Sequence, residues 1–126
     1  MKHPVNWFNS LNYACNGLRL LCSERNFRIH LLAAVSVCIL SLCLHLSTLE
    51  WAFIASAIVL VLVTESINTC IEYLCDFITA DYSFAIKKIK DIAAAAVLLS
   101  TVYALTLAFI ILLPKILYLT TYNYEF

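Results

Sequence analysis

The sequence predicts an all-α integral membrane protein, a helical bundle made of an N-terminal amphipathic surface helix and three transmembrane helices. Three observations carry this. Hydrophobic residues make up 63% of the 126-residue chain, and its mean hydropathy is +0.91. One glycine and two prolines are too few loop formers for an ordinary soluble domain. The charges are gathered so that long uncharged runs remain between them. No domain linker, repeat or low-complexity tract interrupts residues 1–126, which are therefore expected to form a single domain.

Before the first span, the apolar residues Trp7, Phe8, Leu11, Ala14, Cys15, Leu18, Leu21 and Cys22 recur at steps of mainly three and four. This spacing predicts an amphipathic helix over about residues 6–28, lying on the membrane surface. Its polar N-terminus lacks the apolar core and cleavage site of a signal peptide and is expected to remain in the mature protein. Residues 31–49 are uncharged between His30 and Glu50, enough to cross a hydrocarbon core of about 30 Å. A second span is expected over about 51–75, with Glu65 and Glu72 in its far half, and a third over 92–113, ending where Pro114 should stop the helix. Short breaks predict neighbouring antiparallel helices.

Seven of the eight basic residues precede the first span or lie between the second and third. The N-terminus and the loop from Asp76 to Asp91 are thus expected in the cytoplasm and the C-terminus outside, with Trp51, Tyr118, Tyr122 and Tyr124 in the outer aromatic belt. Zero formal net charge and a pI near 6.8 argue against a nucleic-acid partner. The six cysteines show no metal-ligand spacing and are read as small packing residues.

Function must come from local charge. Glu65, Asn68, Glu72 and Asp76 in "VTESINTCIEYLCD" lie at i, i+3, i+7 and i+11, within an arc of roughly 80° on one helix face. Glu65 falls roughly 10 Å deeper than Glu72, and an ionisable residue at such depth usually serves a function. Interhelical hydrogen bonding is the plainer role, but three carboxylates on one stripe exceed what that needs. In "AIKKIKD", Lys87, Lys90 and Asp91 share a face while Lys88 points elsewhere. Lysines there can anchor topology or meet anionic lipid; opposite a carboxylate stripe they offer cations for ATP phosphates beside carboxylates for Mg²⁺. Glu24, in "SERNFRIH", reads by itself as an interfacial charge, and His30 and His45 as interfacial or packing residues. One glycine cannot build a glycine-rich phosphate loop, so a nucleotide site would have to come from helical side chains.

The ordered set "ERNFRIH", "LEW", "ESINTCIEYLCD", "KIKDIAAAAVLL" and "LPKI" resembles the prokaryotic diacylglycerol kinase family, including its undecaprenol kinase branch, over almost the whole chain. "ERNFRIH" and "LPKI" look more like the undecaprenol kinase type. The resemblance implies a homotrimeric inner-membrane enzyme that phosphorylates a lipid alcohol, undecaprenol slightly favoured over diacylglycerol, with MgATP. It further implies that Glu65 is the general base with Asn68 beside it. Glu24 and Glu72 would hold Mg²⁺ and the ATP phosphates, Lys90 would contact phosphate, and Asp91 and Asp76 would complete the ATP site. Asn6, Ser83 and Ala95 depart from the family pattern, and the Gly17–Glu24 spacing is one residue short. The rival from another class is a non-catalytic oligomeric channel or carrier using Glu65 for protons or cations.

Overall fold

The computed structural model describes residues 7–79, 81 and 83–122. Asn6, Tyr124 and the Tyr122 side chain lie outside the described residues. Four helices and no strand occur among the described residues: α1 (Trp7–Ser23), α2 (Arg25–Cys43), α3 (Thr48–Ile78) and α4 (Phe84–Tyr122). Each of α2, α3 and most of α4 is long and apolar enough to cross a membrane.

The single N-terminal helix expected over 6–28 is divided at Glu24. α1 ends at Ser23, whose Oγ donates to the Leu20 carbonyl at 2.5 Å. Glu24 then takes extended backbone angles, φ −75° and ψ 135°, as the N-cap of α2. The helix of the first candidate span runs from Arg25 to Cys43, ending before the uncharged run expected over 31–49 does.

The α2–α3 turn explains that early end. Leu46 N–H donates to the Ser41 carbonyl and His45 N–H to the Leu42 carbonyl, with His45 at φ 48°. This is a Schellman motif with histidine at the left-handed position that glycine usually occupies. His45→Gly should therefore stabilise the protein by about 1 kcal/mol, because the Cβ penalty disappears. Unfolding in detergent, followed by circular dichroism, checks the sign. α3 starts on a capping box, Glu50 N–H donating to Ser47 Oγ while Ser47 N–H donates to Glu50 Oε2 at 2.7 Å.

Beside the turn, Leu44, Leu46, Ile54 and Leu112 form a buried cluster covered by Val37, Trp51 and Ile116. Trp51, expected in the aromatic belt, is thus partly inside the protein. From this cluster α3 and α4 run antiparallel in constant register, linked by three side-chain pairs. Glu50 meets Lys115 at 3.0 Å at one end, Thr64 Oγ1 and Ser100 Oγ share a 2.8 Å hydrogen bond midway, and Lys90 meets Asp76 at 2.5 Å at the other end.

Pro114 does not end α4, contrary to expectation: the helix runs for 39 residues through it, roughly 58 Å. Proline removes one backbone donor, which membrane helices tolerate when neighbouring contacts hold the segment. Buried Leu112, Ile116 against the cluster and Lys115 on Glu50 supply those contacts. α3 likewise exceeds the expected 51–75 at both ends. Of the cysteines, only Cys75 is buried, and Cys38 is half-buried; Cys15, Cys22, Cys43 and Cys70 are exposed, so packing accounts for few of them.

Candidate active site

The polar face of α3 enters the bundle at the end away from the turn. Glu65 is 3% exposed and Asn68 4%, while Glu72 is half-buried and Asp76 exposed, so the stripe is graded along the helix. Burial on this scale is expensive for a carboxylate in an apolar span, at least about 2.5 kcal/mol at a helix centre.

Glu65, Asn68 and Glu72 line one cleft of about 240 Å³ with Asn26, Ile29 and His30 from α2 and Ala94 and Val97 from α4. Asn68 Nδ2 donates to Glu72 Oε1 at 2.9 Å. That bond fixes the amide, since only its nitrogen can donate to a carboxylate. Asn68 Oδ1 is left buried without a partner, an acceptor whose missing donor a bound hydroxyl or water can supply. Glu72 Oε2 has no partner among the described residues, so one of its oxygens is oriented and the other open.

The remaining expected site residues are elsewhere. Asp76, Lys90 and Asp91 line a second cleft, of about 700 Å³, with Thr79, Asp81, Ser83, Ile86 and Lys87. Lys88 points away from it, its ammonium 4.7 Å over the Phe84 ring. Glu24 does not line the Glu65 cleft; its side chain makes no cap to α2 and accepts a short hydrogen bond from the Tyr73 hydroxyl. Among the described residues no three His, Cys, Asp or Glu side chains gather to hold a metal ion. A Mg²⁺ site needs fewer, since that ion commonly takes one or two carboxylates and fills its octahedron with water and substrate phosphate. Glu72, with one oxygen open, fits that mode.

Two residues with a place here were not singled out by sequence. His30 Nε2 stands 3.9 Å from Glu65 Oε2. Tyr73 holds Glu24 across to α3. The first could have been found from the short α2–α3 turn, which brings the start of α2 level with the middle of α3. For Tyr73 no sequence signal exists.

The sequence profile described as prokaryotic diacylglycerol kinase matches residues 12–112. A protein named diacylglycerol kinase from Synechocystis sp. is 36% identical over 110 residues, covering 86% of this chain and 63% of that protein. Proteins of the same name from two Helicobacter pylori strains, 26695 and J99, are each 32% identical over 97 residues, covering 76% of this chain and 76% of theirs. The chain thus spans a little under two thirds of the Synechocystis relative.

Proposed function

The chain belongs to the prokaryotic diacylglycerol kinase family, and from that premise we propose that it is an ATP-dependent lipid kinase that transfers the γ-phosphate of ATP to the hydroxyl of a membrane lipid alcohol. One observation carries the reading beyond family membership. A buried carboxylate, Glu65, shares a cleft with an asparagine whose buried oxygen lacks a donor. An alcohol O–H donates to the asparagine oxygen as it binds and turns that one proton to the carboxylate as it reacts.

In this reading the lipid tail stays among the apolar helices and the head group enters the cleft. Glu65 accepts the hydroxyl proton as the oxygen attacks the γ-phosphorus, and the bond to the ADP oxygen breaks. Phosphoryl transfer needs positioning and charge stabilisation more than covalent chemistry. Asn68 holds the hydroxyl and orients Glu72. Glu72, together with Glu24 once it leaves Tyr73, would hold Mg²⁺, which neutralises phosphate charge when bound. Lys90, backed by Asp76, and Asp91 line the neighbouring cleft, whose size and lysines suit the rest of ATP.

The basic residues Arg19, Arg25, Arg28, Lys87, Lys88 and Lys90 belong to the end of the bundle that carries these clefts. The positive-inside rule makes that end cytoplasmic, where ATP is, and puts the C-terminus outside the inner membrane. Trp7, Phe8, Leu11 and Leu18 of α1 are exposed, which suits a helix lying in the lipid interface. Homotrimeric assembly is carried by the family resemblance. The channel alternative draws no support from the fold or from the relatives.

Purified protein in mixed micelles with MgATP should phosphorylate undecaprenol with a higher kcat/KM than diacylglycerol. Equal or reversed rates would overturn the lipid preference, and lipid phosphate from neither alcohol would overturn the kinase reading.

A further inference from the structure

We propose that His30 is the proton relay of this site, taking from Glu65 the proton that Glu65 has accepted from the lipid hydroxyl and passing it to water. The inference rests on the kinase reading and adds a residue to it.

A base that ends each turnover as a neutral acid must lose its proton before the next. Glu65 is poorly placed to do so alone, because its side chain is 4% exposed while that of His30 is 22% exposed. The imidazole is therefore the more accessible member of the pair. Nε2 stands 3.9 Å from Oε2, under 1.5 Å beyond hydrogen-bond length, and catalytic hydrogen bonds that are loose without substrate commonly tighten in the reacting complex.

The surroundings leave no substitute. From α3 the cleft receives Asn68, whose amide does not titrate, and Glu72, which is engaged with Asn68 and assigned to the phosphate side. From α4 it receives Ala94 and Val97, and from α2 Asn26 and Ile29 besides His30. Among the described residues lining the cleft, His30 carries the one imidazole, a ring with two nitrogens that can take a proton on one side and give one up on the other.

His30 also lines the adjoining apolar cleft, of about 130 Å³, with Ala33, Ala34, Ala104 and Ala108. It thus stands where a lipid tail gives way to a reacting head group. The proton balance closes: the alcohol O–H breaks as the O–P bond forms, the proton rests on the Glu65 carboxyl, moves to His30 Nε2, and leaves as hydronium or to buffer.

The test compares wild type, His30→Ala and His30→Gln as full-length protein in micelles with MgATP and whichever alcohol the wild type phosphorylates. Both variants should lose about 10²-fold in kcat with KM for ATP within about twofold of wild type, since neither touches the nucleotide cleft. Added imidazole should restore a substantial part of kcat to His30→Ala and none to His30→Gln, whose side chain fills the space without carrying a proton. Wild-type kcat in His30→Gln, or a His30→Ala variant that imidazole does not speed, overturns the relay. A wild type that phosphorylates neither lipid removes the kinase reading and the relay with it, whereas full activity in wild type and variants together removes the relay alone.

Discussion

Glu65→Gln is expected to lower kcat for lipid phosphorylation by about 10²- to 10⁴-fold, the range that a general base contributes, while the protein stays folded in the membrane. The substitution keeps the size of the side chain and its place in the α2–α3–α4 cleft. It removes only the ability to accept a proton at the hydroxyl. A neutral amide is also easier to bury in an apolar span than a carboxylate, so unfolding in detergent should be no easier than for the wild type. If Glu65 merely tied helices together, glutamine would make a comparable hydrogen bond and activity would survive. Kinetics and circular dichroism on the same preparation separate the two roles.

Glu72→Gln should also cost about 10²-fold in rate, but with a different signature. Asn68 Nδ2 can still donate to the amide oxygen as it does to Oε1 at 2.9 Å, so the Glu65–Asn68 arrangement is kept. What disappears is the charge of a carboxylate that Mg²⁺ would use together with ATP oxygens. The Mg²⁺ concentration for half-maximal rate is therefore expected to rise at least about tenfold, while Glu65→Gln leaves it unchanged. Titrating the rate with Mg²⁺ in both variants makes the comparison. An unchanged Mg²⁺ requirement in Glu72→Gln would move the metal away from that residue.

The α3 face was legible because it depends on one helix. Once Glu65, Asn68 and Glu72 are on a continuous α-helix, the 3.6-residue repeat puts them on one side whatever surrounds them, and all three line one cleft. Lys87, Lys90 and Asp91 were legible for the same reason. What failed were features decided by contacts between elements. Pro114 carries a strong local signal to stop, and Leu112, Ile116 and Lys115 override it through the turn cluster and Glu50. The division of the N-terminal helix lies in the extended backbone of Glu24, which no glycine or proline in the sequence marks. The place of Glu24 was not legible either: Tyr73, next to Glu72 but about 100° round α3 from it, engages the Glu24 carboxylate. His30 looked ordinary in sequence since its partner lies 35 positions away, and only the folded turn brings them level.

The γ-phosphate itself gives the most direct test of phosphoryl transfer at this face. Purified wild-type protein, supplied with ATP labelled at the γ-phosphate, Mg²⁺ and undecaprenol or diacylglycerol in micelles, partitions the label among lipid, water and unreacted nucleotide. Label accumulating in lipid phosphate, with little in inorganic phosphate, is the expected result. Label released only to water, or left in ATP while the protein remains folded, would contradict it.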